Sequence, residues 1–154
     1  MMSNILGKAI RYNINTASVD DVKNHLIKCD ENFIPALSKK VDITAYVKKI
    51  RENAVTFEAW YDKELIGLIA AYCNDAESKK IFITSVSTYT EYSGKGIASS
   101  LIQLCIDHAT KNKFTEILLE VNNKSLNAIK LYNKNNFVQI DIKDQTIIMK
   151  NKLK

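Results

Sequence analysis

Along this chain, stretches in which apolar and polar residues alternate trade places with stretches in which apolar residues recur every three or four positions. The first period predicts strands and the second predicts helices. Ala9 to Asn15 reads as a first strand. Thr16 or Ser18 can cap the helix expected from about Val19 to Cys29, with Asp20 and Asp21 at its electropositive end. A connector around Pro35, the only proline, carries Phe33, Ile34 and Leu37 toward an apolar surface. A second helix is predicted over Thr44 to Asn53, capped by Asp42 or Thr44 and charged outward by Lys48, Lys49, Arg51 and Glu52.

In the middle of the chain, Val55 to Tyr61 and Leu65 to Cys73 flank the turn Asp62-Lys63-Glu64 as a hairpin whose second arm is apolar enough for a central strand. Asn74 to Ser78 turns into a β-branched strand beginning at Ile81 and ending near Thr88. Gly94 and Gly96 then break the pattern, and Ile97, Leu101, Leu104, Cys105 and His108 fall on one helical face. Glu116 to Val121 is a short apolar strand. A strand, a helix and a second strand make a βαβ unit, so these two strands run parallel with a right-handed connection. A last helix starts near Ser125 and places Ser125, Ala128, Ile129 and Tyr132 on one face. Asn136 suits a left-handed cap, and Phe137 to Asp141 and Thr146 to Lys150 finish as strands. The expected class is α/β of the α+β kind: one mixed, mostly antiparallel sheet of about seven strands with helices flanking it.

At 154 residues the chain is expected to form a single domain over residues 1–154, and 46% hydrophobic with 25% charged content is ordinary for a soluble protein. No apolar run approaches the ~20 residues of a membrane span, and the opening MMSNILGKAIRYN lacks a secretory apolar core, so a cytoplasmic protein without membrane contact is expected. Cys29, Cys73 and Cys105 lie far apart outside any CxxC spacing, and His25 and His108 have no carboxylate cluster nearby. The reading is no disulfide framework and no metal, with the cysteines as small apolar side chains and His108 in a core or capping role. The net charge of +5 permits a polyanionic partner, but the lysines are scattered without aromatic interleaving. That speaks against nucleic acid, and a charged small-molecule cofactor accounts for the excess equally well.

The chemistry concentrates in the glycine turn. Glycine adopts positive φ without penalty and lets a ligand approach the main chain, and this turn opens a helix whose first N–H groups have no internal partner. Such a site suits phosphate or pyrophosphate, and Lys95 adds a mobile charge. It is not a Walker loop, since Ile97 follows Gly96 where Lys and Ser/Thr are needed. Nor is it a dinucleotide fingerprint, since Ser99 stands where the third glycine belongs.

Two segments, TEYSGKGIASSLI at Thr90 to Ile102 and SLNAIKLYNKNNF at Ser125 to Phe137, resemble the GCN5-related N-acetyltransferase (GNAT) family in sequence and order. The first resembles its acyl-CoA pyrophosphate loop and the second its following helix with a catalytic tyrosine. The resemblance implies a sheet whose parallel strands splay, with acetyl-CoA as co-substrate. It implies that Ser93, Gly94, Lys95, Gly96, Ile97 and Ala98 hold the pyrophosphate through the main chain. Val86, Ser87 and Thr88 would pair with the pantetheine arm as an added strand, and Ser125 would hydrogen-bond it. Tyr132 would be the general acid that protonates the leaving CoA thiolate. The family often has Gln or Arg where this chain has Glu91, a basic residue at Ser93, Asn at Ser125 and Gly at Asn136.

The implied activity is acetyl transfer from acetyl-CoA to a primary amine by direct attack. Alternatives are a non-catalytic acyl-CoA-binding regulator and a protein or peptide N-terminal acetyltransferase. Glu58 and Glu120 are candidates for the base, each weighed against an ordinary solvent or sheet-edge charge and a water relay. By analogy, Phe33 to Tyr46 and the hairpin near Trp60 would border the pocket of a small-molecule or peptide amine acceptor, and relatives commonly form homodimers.

Overall fold

The computed structural model describes residues 4–5, 8–75 and 77–154. Fifteen elements follow one another, of which the strands are β1 (Asn4–Ile5), β2 (Lys8–Ile14), β3 (Ala54–Tyr61), β4 (Glu64–Tyr72), β5 (Lys80–Thr88), β6 (Glu116–Asn122), β7 (Val138–Lys143) and β8 (Thr146–Lys152). The helices are α1 (Val19–Lys28), α2 (Leu37–Lys40), α3 (Ile43–Asn53), α4 (Ile97–Lys111) and α5 (Leu126–Lys134), with 3-10 turns at Asp30–Asn32 and Thr90–Tyr92. The seven expected strands are present. The two-residue β1 at the edge makes an eighth, too short to leave a periodic trace. Ala76, within the expected turn before β5, lies outside the described residues.

The strands form one sheet in the order β1-β2-β3-β4-β5-β6-β8-β7. Every neighbouring pair is antiparallel except β5 and β6, which run parallel as the βαβ reading requires. Helices α1 and α3 cover one face of β3 and β4, and α4 covers the other. Because both faces are covered, β4 is buried from Leu65 to Ala71 and shows no alternation. On α4 the buried stripe is Ile97, Leu101, Ile102, Cys105 and Ala109, each large member contributing ~1.5–3 kcal/mol of burial.

Local signals place the ends. Ser18 rather than Thr16 caps α1: its side chain accepts from Asp21 N–H while the Asp21 carboxylate accepts from Ser18 N–H. Asp42 caps α3. The connector after α1 is more ordered than expected: it contains α2, Asp30 accepts from both Ser38 N–H and Ser38 Oγ, and the Ile34–Pro35 peptide is cis. Leu37 is buried there, but Ile34 is 45% exposed, contrary to the expectation that it packs inward.

Candidate active site

Gly94 and Gly96 have φ of 76° and 77°, so the turn does require residues that enter the left-handed region freely. A Cβ on either would meet nothing within 4 Å, so the space over the turn is open. Gly96 occupies the N-cap of α4 and offers no side-chain cap. Among the described residues, no acceptor takes the N–H groups from Gly94 to Ser99, whereas Ser93 N–H donates to Thr90 O at 3.1 Å. The loop therefore presents a run of unpaired donors at the positive end of a fifteen-residue helix, an arrangement whose electrostatics favour an anion. Ser93 is committed through its N–H. Ile97, 2% exposed, gives its side chain to the core and leaves only its amide for a ligand.

The acidic Glu91 beside this loop carries its own counter-ion. Lys28 Nζ lies 2.8 Å from the Glu91 carboxylate and 4.1 Å from the centre of the Tyr89 ring. The hydrogen bond holds Glu91 below its ordinary pKa and Lys28 above its own.

The second component is a gap in the sheet. β5 and β6 pair from Lys80↔Glu116 to Ile83↔Leu119 and then stop, while β5 stays paired with β4 as far as Thr88. A bulge marks the parting: Ala70 pairs with Ser85 and Ala71 with Ile83, leaving Thr84 without a partner. The bulge also resets the faces of β5. Ile81 and Ile83 join the core under α4, whereas beyond it Ser87 meets α1; at the bulge, the Thr84 carbonyl accepts from the Tyr46 hydroxyl at 2.9 Å, and that hydroxyl in turn can accept from Thr84 Oγ1, 2.7 Å away.

A cavity of about 510 Å³ fills the gap, walled by Thr84, Ser85 and Val86 on one side and Glu120, Val121 and Asn122 on the other. A second hollow of about 210 Å³ runs past Val86, Ser87 and Thr88 to Ala98 at the start of α4. Both are lined by Val86, Ala128 and Tyr132. Ser125, the N-cap residue of α5, makes no side-chain capping bond and lines the larger cavity.

Tyr132 thus stands where the two hollows meet. It is 6% exposed, its hydroxyl has no hydrogen-bond partner among the described residues, and burial pushes the phenol well above its ordinary pKa. Its backbone is fixed by the end of α5: Phe137 N–H donates to Tyr132 O and Asn136 N–H to Asn133 O, with Asn136 at φ 71°. That is a Schellman motif, in which Asn takes the left-handed position glycine usually holds, and the Tyr132 and Phe137 rings touch across it at 5.9 Å.

Glu58 is neither a solvent charge nor a group in either cavity. It is 0% exposed and accepts from Thr16 N–H, Thr16 Oγ1, Ala17 N–H, Thr56 Oγ1 and Trp60 Nε1, fixing the entry to α1. Trp60 is likewise buried, at 8%, in the core beneath α1 and α3 and borders neither hollow. Glu120, by contrast, is exposed and lines the larger cavity. Asn32, Phe33, Ile34 and Lys40 are the parts of the connector that reach it.

Sequence reasoning missed three features. His25 is fully buried, its Nδ1 2.7 Å from Leu65 O and its Nε2 2.8 Å from Ser87 Oγ. Since a carbonyl can only accept, Nδ1 carries the proton and Nε2 accepts from Ser87. Burial lowers its pKa to about 4, so it is neutral at pH 7 and ties α1 to β4 and β5. Asn32 and Asn127 line both hollows, and Lys40 and Lys124 line the larger. Asn127 lay inside the second motif segment and Lys124 directly before it, and Lys40 lay in the segment expected to border the pocket, but none was singled out. Burial raises the Cys29 and Cys73 thiols to about 11 and Cys105 further, which keeps them protonated at neutral pH. His108 is half-buried with its ring edge-on to Phe57 at 5.4 Å, a packing role. No metal-binding cluster occurs among the described residues, nor any helix long and apolar enough to cross a membrane.

The family model described as acetyltransferase (GNAT) family matches residues 19–137. No curated protein matches the chain. Among solved structures, the PaiA N-acetyltransferase from Thermoplasma acidophilum in complex with coenzyme A is 19% identical, with 92% of this chain and 99% of that one covered at a TM-score of 0.73. A GNAT-family acetyltransferase from Staphylococcus aureus is 16% identical over 94% and 100%, TM-score 0.76. The ribosomal-protein-S18-alanine N-acetyltransferase from Escherichia coli is 16% identical over 93% and 94%, TM-score 0.70. At these identities the likeness is one of fold.

Proposed function

Since the chain belongs to the acetyltransferase (GNAT) family, we propose that it transfers an acetyl group from acetyl-CoA to the nitrogen of a primary amine, with Tyr132 as the acid. The residues fit the co-substrate. The open run of amides from Gly94 to Ala98 suits its diphosphate, with Lys95 beside it. The unpaired edge of β5 at Val86 to Thr88 suits the amides of its pantetheine arm, and Ser125 offers a further hydroxyl near Tyr132. Acetyl-CoA supplies the acetyl group as a thioester: the amine nitrogen bonds to its carbonyl carbon, the carbon–sulfur bond breaks, and the sulfur leaves as a thiol.

The observation that carries this reading is the position of Tyr132. A phenol held protonated by burial, with a free hydroxyl at the junction of two hollows, can donate to sulfur as negative charge develops there. The same dry surroundings raise the proton affinity of a thiolate, so the sulfur also needs a proton to leave. The amine must lose a proton, and Glu120 in the larger cavity is the carboxylate placed to receive it, directly or through water. Glu58, fully engaged in structural bonds, takes no part.

The test is release of free CoA thiol from acetyl-CoA in the presence of amines. Tyr132→Phe is expected to lower kcat by ~10²-fold while CoA still binds. Unchanged kcat removes Tyr132 from the mechanism. No thiol release with any amine, despite CoA binding, favours a non-catalytic acyl-CoA-binding protein.

A further inference from the structure

The larger cavity has a charge pattern that acetyl-CoA does not account for. Three charged side chains line it: Glu120 from β6, Lys40 from the end of α2, and Lys124 from the turn between β6 and α5. None of the three has an ion pair or hydrogen bond from its side chain among the described residues, whereas Lys28 and Glu91 at the other end of the site are matched to each other. Both lysines sit on well-held backbone. Lys124 N–H donates to Asn122 Oδ1 at 2.9 Å, and α2 is pinned by the two bonds from Ser38 to Asp30. A fourth group points to a polar ligand. Ser85 is 4% exposed and lines the cavity, yet its hydroxyl makes no hydrogen bond. A buried hydroxyl without a partner destabilises the site, a cost that an arriving acceptor atom would relieve.

An amine acceptor explains one charge, Glu120, and is opposed by the other two. Two uncompensated ammonium groups beside a single carboxylate would repel a simple alkylamine or a polyamine, since like charges in a partly enclosed cleft raise the cost of binding. They favour a molecule that brings a negative group of its own. Resting on the acetyl-transfer reading above, we propose that the acceptor is a small primary amine that also carries a carboxylate or phosphate, read by Lys40 and Lys124 while Glu120 faces the amine. Charge-assisted bonds from lysine to either anion are strong enough to set this preference, and two lysines on separate elements distinguish an anionic acceptor from its neutral analogue by both charge and reach.

The experiment compares matched acceptors that differ only in the anion: 4-aminobutyrate against 4-aminobutanamide, 5-aminopentanoate against its amide, and phosphoethanolamine against ethanolamine, with CoA thiol as the readout. The anionic member is expected to show at least ~10-fold higher kcat/KM at low salt in one arm, carboxylate or phosphate, and to lose the advantage as salt rises. In Lys40→Ala/Lys124→Ala the ratio should fall to about one. In Lys39→Ala, an exposed neighbour outside the cavity, it should persist. A wild-type ratio near or below one in both arms, or a ratio untouched by the double variant, overturns the proposal. Should no amine release thiol, acetyl transfer itself fails. The pairs are then titrated calorimetrically into CoA-loaded protein, where tighter binding of the anionic member sustains the inference and equal or absent binding ends it.

Discussion

A Cβ built on Gly67 would lie 2.9 Å from Ile97 Cγ2, closer than real side chains approach, and 3.1 Å from Leu101 Cδ1. The first turn of α4 therefore rests directly on the backbone of β4, and the height of the amides before it is set by a missing side chain. Gly67→Ala is expected to destabilise the fold by about 1–3 kcal/mol through overpacking. Because Ile97 follows the loop immediately, it should also weaken CoA binding. Urea unfolding and calorimetric titration with CoA check the two effects separately.

Gly96 poses the opposite case. Its surroundings are empty but its φ of 77° is costly for a residue with a Cβ. Gly96→Ala is expected to cost about 1–2 kcal/mol without any clash, and Gly96→Asn less, since Asn enters the left-handed region more readily. If both variants unfold at the wild-type urea concentration, the turn does not hold the conformation described.

His25 makes stability depend on pH. Burial lowers its pKa from 6.5 to about 4, so the unfolded chain takes up a proton at a pH where the folded one does not. Stability from this group is full above about pH 6.5, declines as pH falls from there toward about 4, and levels off below. The loss should be on the order of 3 kcal/mol. Urea midpoints from pH 7.5 to 4 for the wild type and for His25→Asn, which does not titrate here, isolate the effect. Parallel curves for the two proteins refute it.

Glu58 predicts a large effect from a small change. All five of its recorded bonds are accepted, so Glu58→Gln turns a donor amide toward donors. The expected cost is about 2–4 kcal/mol in chemical denaturation, and a cost below ~1 kcal/mol would mean the site rearranges. Once folded, the variant should keep its turnover number, since Glu58 borders neither hollow.

How far the sequence reached follows from where periodicity survives. β5, with alternating burial, and α4, with one apolar stripe, were readable to within a residue or two. The α1 cap was legible only as Thr16 or Ser18; the capping box that Ser18 forms with Asp21 decides between them. Glu58 and Trp60 were not placeable. β3 is buried from Thr56 to Trp60 because helices cover one face and α4 the other, so alternation there no longer separates inside from outside. The motif segments at Thr90 and Ser125 located Tyr132 and the loop. Lys40 fell within the segment expected to border the pocket and Lys124 just before the second motif, but nothing in the sequence pairs them, since only the fold brings these residues, distant in sequence, to one cavity.

The parting of β5 from β6 has one more consequence. An unpaired strand edge on the rim of a sheet is open to any passing chain, and proteins blunt such edges with charge or kinks to avoid joining their neighbours. Here the vacant stretch lies between two interior strands, at the bottom of a recess roofed by the start of α5. There it does not lie on the rim where another protein's sheet would dock, while the cavity beside it leaves room for a slender chain of amides. Adhesiveness that would be hazardous on the perimeter is admitted indoors, where the walls around it limit what can reach it.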